Sequence, residues 1–349
     1  MDNTTSVMSS DPLGRSPLQV GFEVFFASLI TVVAFLGNAS LIYILHRDPR
    51  LKSTNNVFIE SLGWTDLCMA VFKMPLWVMS IRHGSWAVSD VFCPWSAATM
   101  FTFGISSILN MGLVAINRYF KVVKPHVYLK IFKDRRRARI YAALVWAVSI
   151  LLATPPLYGG GFMHYHRYFS LCTMSWEIKY ISYVVVVVGG VVSGTTVVIF
   201  FCYYKIYKMI QSSSNNLQAH TAASEVQVTP TAPTVDIRVL MSAFTVVCFF
   251  LVTWVPVSFM VTYESAGGRL PRLVFAVGAY FMFVGSLGNP FIYGALNPKF
   301  RRAFACAFRC RGFDGSGNRV AESRDLQLST AVSLGGRGNI TNRIAPLTS

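Results

Sequence analysis

Two side chains carry charge where charge is expensive. Asp66 and Lys73 stand seven residues apart in a largely apolar stretch. A charge in hydrocarbon costs a few kcal/mol on insertion scales, so each should face a protein interior and find partners there. Seven residues make two helical turns, so on a helix the two share a face, with Lys73 about 10 Å further along. The carboxylate can hold a cation, or be protonated and hydrogen-bonded. The ammonium can reach the interface along its stem, pair with Glu23, or meet an acidic group brought by a ligand. A third charge, Arg118, closes another apolar run. Covalent chemistry finds no support: the seven cysteines show no CxxC and no zinc spacing, and P-loop, HExxH and GxSxG motifs are absent. Binding is expected, not catalysis, so the chain reads as no enzyme.

The elements that position these residues are long. Of 349 residues, 53% are hydrophobic and 13% charged, about half the usual charged share, and the mean hydropathy is +0.48. Seven blocks are apolar over the ~20 residues that a helical crossing needs: 21–46, 56–81, 92–121, 138–158, 179–210, 236–263 and 271–296. Lipid cannot satisfy open strands, so the expected class is an all-α membrane protein, a seven-helix bundle. The net charge of +16 does not point to nucleic acid, because the basic residues cluster in short segments between spans. Of the 31 Lys and Arg, Arg15, Arg82, Arg167, Lys179, Arg269 and Arg272 fall outside if the N-terminus is outside. Lys73 lies within a span and the other 24 fall inside, the bias expected of a cytoplasmic face.

Residues 1–20 read as a polar extracellular tail without the apolar core of a cleavable signal, so the first span serves as anchor. The third inner loop, about Gln211 to Val235, is Ser/Thr-rich and reads as flexible. Phe300, Phe304 and Phe308 recur every fourth residue among basic ones, predicting an amphipathic helix at 298–309 on the inner membrane surface. Cys306 and Cys310 there are palmitoylated or simply thiols. Residues 312–349 read as a disordered cytoplasmic tail.

Each span carries a marker. The first has Gly37-Asn38, the second Ser61-Leu62 and Asp66-Leu67, the third Cys93 and Asn117-Arg118-Tyr119. The fourth has Trp146, the fifth Phe201-Cys202-Tyr203, the sixth Phe250 and Trp254-Val255-Pro256, the seventh Asn289-Pro290-Phe291-Ile292-Tyr293. In this order they resemble the rhodopsin family of G-protein-coupled receptors over about residues 21–311. A finer resemblance, to melatonin-type receptors, rests on Ala115 to Tyr119, on Ile292 to Asn297, on Pro75-Leu76 with Met79-Ser80-Ile81, and on Phe201-Cys202-Tyr203. The chain departs from that group at Pro290, where Ala is usual. Thr253 replaces the common Cys before Trp254, and Thr195 the fifth-span proline.

The resemblance implies a plasma-membrane receptor that passes an extracellular small-molecule signal to heterotrimeric G proteins by a two-state helix movement. It implies arrestin and receptor kinases as further partners and leans toward an inhibitory G protein. A peptide or lipid ligand is the alternative; a channel or transporter is the remote one, and the repeats or paired broken helices of a transporter are not seen. An opsin needs a seventh-span lysine, and Phe283 occupies that position. The family pairs Cys93 with Cys172, both in the oxidising compartment. It implies a sodium-like site at Asp66, Ser107, Ser286 and Asn289, with no other cofactor or metal. It implies a G-protein switch at Asn117, Arg118, Tyr119, Tyr203 and Tyr293, and an activation relay through Ile108, Thr195, Phe250, Trp254, Pro256 and Pro290. Most members carry Asp where Asn117 stands. Asp236, 20 residues and about 30 Å of helix before Pro256, is therefore expected either to pair with Arg118 at rest or to sit solvated at a helix N-terminus.

The pocket is expected around Lys73, Met100, Met174, Trp176 and Val191. Met100 stands where amine receptors carry Asp. Pro156, Met174, Trp176 and Val191 stand where melatonin receptors carry ligand contacts. Neither a biogenic amine nor melatonin is the expected agonist. Lys73 points to a small acidic or acceptor-rich ligand under Met174 and Trp176, unless it is structural. Asn3-Thr4-Thr5 is the outer glycosylation site.

Overall fold

The computed structural model describes residues 11–158, 163–175, 181–222 and 233–308, with backbone alone at some helical positions, Asp236 among them. The chain divides into a unit Met1–Phe304 and a unit Ala305–Ser349. Of the second, only Ala305 to Phe308, the end of a helix, is described.

The spans fall where the apolar blocks predict. The first is Pro17–Arg47, the third Phe92–Val123, the fourth Arg135–Ala153, the sixth Pro233–Ser265 and the seventh Arg272–Leu296. Side-chain oxygens of Ser16, Ser53 and Asp134 cap the first, second and fourth by accepting from backbone N–H groups. Short helices Pro125–Ile131 and Pro155–Tyr158 follow the third and fourth. Pro298–Phe308 forms the short final helix. Phe22, Phe25, Phe26 and Leu29 stand exposed on the first span, as side chains do when lipid, not water, is the solvent. The molecule is a multi-pass membrane protein.

Two spans change register inside. The second runs Thr54–Cys68, then a π turn Met69–Lys73, then Met74–His83. Pro75 offers no N–H to the preceding turn, and widening that turn is one way to accommodate it. The fifth runs Ile181–Val184, then a π stretch Val185–Ser193, then Gly194–Ala222. Consecutive valines and Gly189-Gly190 are poor α-formers, and the widened turns fall on them.

Two loop expectations need correction. Residues 17–20 are helix, not tail, and residues 11–16 fold back onto the bundle end. The inner loop is shorter than read: helix continues to Ala222 and resumes at Pro233, with 223–232 outside the described residues. A hairpin, β1 (Met163–His166) paired antiparallel with β2 (Leu171–Met174), covers the other end, with Tyr165 opposite Cys172. Four-residue strands between polar turns leave too little periodicity to see in sequence.

The first and seventh spans lock together through a proline. Pro290 cannot donate to the Ser286 carbonyl one turn back. The Asn38 side-chain amide donates to that carbonyl at 2.9 Å. Beside it, a Cβ on Gly37 would meet the Pro290 ring at 3.3 Å. The Gly37-Asn38 marker is thus the complement of Pro290.

Candidate functional site

At the hairpin end the second and third spans and β2 meet on Lys73, which is 1% exposed. Its ammonium donates to Ser96 Oγ at 2.8 Å, the Ser96 carbonyl at 3.2 Å and the Cys172 carbonyl at 3.1 Å. Three N–H groups meet three neutral acceptors, so the geometry is satisfied while the charge keeps no acidic counterpart among the described residues. Lys73 neither snorkels nor pairs with Glu23. Glu23 is taken by Arg15 at 2.8 Å and Arg272 at 2.5 Å. The π turn ends at Lys73.

Cys172 is also bonded to Cys93, with Cα atoms 5.3 Å apart. The disulfide pins β2 to the start of the third span, and Lys73 holds the same residue from the second. Met174 is fully buried two residues on. Met100, one turn from Ser96, belongs to an apolar cluster with Met74, Trp77, Phe283 and Met282. Val191 packs elsewhere, with Ile105 and Val187. The structure therefore ties Lys73 to the strand that carries Met174, and sets Met100 and Val191 in two different apolar clusters. Trp176 and Asn3 lie outside the described residues.

Sequence reasoning missed two ties at this end. Arg15, 6% exposed, binds Asp11 and Glu23 and donates to the Ile81 carbonyl at 2.6 Å. The hydrogen bond from the Arg15 side chain, against the opposing pull of desolvation, lowers the Asp11 carboxyl from 3.8 to about 2. Gly84 closes the second span at φ 67°, and a Cβ there would lie 2.8 Å from Asp11 Oδ1, so this strap requires glycine. His166 of β1 meets Glu264 of the sixth span at 3.2 Å and packs at a tilt against Phe275, ring centres 4.9 Å apart. No sequence signal joins residues this far apart.

Mid-bundle, Phe250 stacks on Trp254 at 5.5 Å. A Cβ on Gly104 would approach the indole at 3.2 Å, and one on Gly285 at 3.5 Å. Pro256 lies inside the continuous sixth span, and Thr253 and Ser258 hydroxyls donate to the Phe250 and Trp254 carbonyls at 2.9 and 3.1 Å. Ile108 is fully buried. A Cβ on Gly112 would meet the Thr195 methyl at 2.8 Å, so third and fifth spans touch here. Deeper, Asn289 donates to Asp66 Oδ2 at 2.5 Å, and Ser107 and Ser286 are buried on the third and seventh spans.

At the far end Asn117 is fully buried and Arg118 is 9% exposed. Buried Tyr203 and Tyr293 both lie within the field of the Arg118 guanidinium. Tyr119 packs near Phe201 at 6.2 Å. Tyr293 stacks on Phe300 at 5.4 Å. Asp236 sits in the first turn of the sixth span, its side chain outside what is described. Cys306 is a free, half-buried thiol; Cys310 lies beyond the described residues.

Residues 37–293 match the seven-transmembrane receptors of the rhodopsin family. The chain belongs to that family. Among its relatives are the melatonin receptor type 1A of Gallus gallus, 28% identical over 278 residues, covering 78% of this chain and 76% of that one. The melatonin receptor type 1B-B of Danio rerio is 29% identical over 279 residues, 78% of each. The crystal structure of squid rhodopsin shares the fold at a TM-score of 0.74 and 21% identity, over 88% of this chain and 91% of that one. The receptor is thus a rhodopsin-family member most like melatonin receptors, and its relatives are receptors, not enzymes.

Proposed function

We propose that this receptor, with its N-terminus and hairpin outside, takes a small acidic or acceptor-rich ligand beside Lys73 and passes the signal to a heterotrimeric G protein, of the inhibitory type. The observation that carries the ligand reading is the Lys73 ammonium: buried, hydrogen-bonded only to Ser96 and the Cys172 carbonyl, and facing no carboxylate among the described residues. Neutral acceptors orient an ammonium without cancelling its charge, so an anion that displaces one gains a charge-assisted bond. Met100 in place of an acid removes the partner an amine would need.

Ligand binding shifts a two-state equilibrium by its differential affinity. Phe250, Trp254 and Pro256 transmit it along the sixth span, and Tyr203, Tyr293 and Arg118 form the inner switch, with Asp236 as the resting partner of Arg118. Asp66, Ser107 and Ser286 offer the oxygen ligands that a hard cation takes, and sodium held there opposes activation. Arrestin and receptor kinases act on the same inner face; glycosylation at Asn3 and palmitoylation at Cys306 and Cys310 complete the reading.

The test is a ligand screen in cells with a promiscuous G-protein readout, then the Lys73→Met variant. A tenfold or greater loss of potency is expected, since 1.4 kcal/mol is a factor of ten. Unchanged potency at equal surface expression refutes the ligand role. Equal agonist affinity in sodium and in a bulky organic cation refutes the sodium site.

A further inference from the structure

A cleft of about 470 Å³ opens between the fifth and sixth spans near the Arg118 end. Tyr203, Tyr204, Tyr207 and Ile210 form one wall, Met241 and Phe244 the other. The fifth-span residues recur at three- and four-residue intervals, so one helical face lines the cleft. Tyr204, Tyr207 and Met241 are each more than half exposed, so the cleft faces the lipid, and no acid lines it.

One lysine borders the cleft: Lys208 lies 5.4 Å from the ring of Tyr204, a lining residue. Lys205 lies over Phe201 instead, on the helix face turned away from the cleft. Lys208 joins no ion pair among the described residues. Tyr204 and Tyr207 are the aromatic residues that mark a membrane interface, and a lysine beside an apolar slot at that depth favours anionic headgroups.

The back wall belongs to the switch. The Tyr203 ring packs edge-on against Phe244 at 5.1 Å, is 7% exposed, and its other end lies in the Arg118 field. What fills the cleft therefore braces the residue proposed to stabilise the active state.

We propose that this cleft binds an anionic phospholipid of the inner leaflet, one acyl chain lying over the Tyr203–Phe244 contact and the phosphate at Lys208. The assignment to the inner leaflet rests on the orientation proposed above; lipid binding itself does not.

The receptor is purified in mild detergent from vesicles of equal phosphatidylserine and phosphatidylcholine, and retained lipid is counted by native mass spectrometry. Wild type is expected to keep phosphatidylserine in preference. Met241→Trp and Ile210→Trp, which fill the cleft from opposite walls, should each cut retention at least tenfold. Val252→Trp, on an exposed position of the same span, should not. The Lys208→Gln variant should keep lipid but lose the preference for serine headgroups, and Lys205→Gln, on the opposite face, should not. Equal retention of both lipids by wild type overturns the proposal, as does unchanged retention in the two cleft variants or equal loss in Val252→Trp. Retained preference in Lys208→Gln, or equal loss in Lys205→Gln, overturns the headgroup assignment. Monodisperse elution establishes that each variant is folded. No step passes through a G protein, so a failure of lipid binding is distinct from a failure of coupling.

Discussion

Asn38 supplies the hydrogen bond that Pro290 cannot. Its amide reaches the Ser286 carbonyl at 2.9 Å from a different helix, and the same nitrogen bonds the Ala34 carbonyl at 2.9 Å. Asn38→Ala leaves a buried carbonyl without a donor, which costs about 1–3 kcal/mol. The variant should melt several degrees lower in detergent. Pro290→Ala restores the backbone donor and should recover part of the loss; if Asn38→Ala melts like wild type, the amide is not structural.

Trp254 lies between two residues that have no side chain. Gly104→Ala would put a Cβ 3.2 Å from the indole, tight enough to hinder its rotation. Agonist efficacy should fall while surface expression stays normal. The dose response of a G-protein readout measures this, and an unaltered maximum would mean that Trp254 does not move during signalling.

The strap at Asp11 and Arg15 is set by a carboxylate whose pKa is depressed to about 2. A depressed pKa means the folded state favours the charged form. The stabilisation is complete above the ordinary value of 3.8 and is lost as pH falls through about 2. The strap should therefore stay docked at pH 5. Asp11→Asn should free it at neutral pH. Trypsin reads this directly, because Arg15 is buried in the docked form: cleavage after Arg15 should be slow in wild type and at least several-fold faster in the variant.

His166 joins the hairpin to the sixth span through Glu264. If the hairpin restrains that span, His166→Ala should raise basal signalling and hasten agonist dissociation. Dissociation of a labelled agonist after dilution is the measurement. A rate equal to wild type would leave the contact as packing only.

Much of this was legible in the sequence because lipid enforces it. A helix must satisfy its own backbone and last about 20 residues, so the span at 92–121 appears as Phe92–Val123 and that at 271–296 as Arg272–Leu296. The family resemblance that the markers carry implied Asp66 with Asn289 and Cys93 with Cys172, and both contacts are present. What escaped depends on pairings across the fold. Lys73 was visible as a buried charge, but its acceptors are a main-chain carbonyl and hydroxyl on the third span and the main chain of β2, and carbonyls have no sequence signature. Arg15 was counted as a tail residue because its partners Glu23 and Ile81 lie on two helices. The donor to Ser286 was deducible, since any proline in a helix leaves a carbonyl one turn back, but its identity as Asn38 was not.

The π stretch in the fifth span sets a phase. Each residue turns an α-helix by about 100°, and a π segment spends more residues per turn. Positions before Val185 therefore stand at a different azimuth from those that an unbroken helix ending at the same Thr195 would give. Val191, reached by counting along the chain, points with Val187 toward Ile105 rather than into the Met100 cluster. Deleting one valine from Val185–Ser193 would rotate the outer third of the span as a block, exchanging the side chains offered to the bundle for those now offered to lipid. In this receptor the contacts of that segment are chosen by helical pitch as much as by residue type.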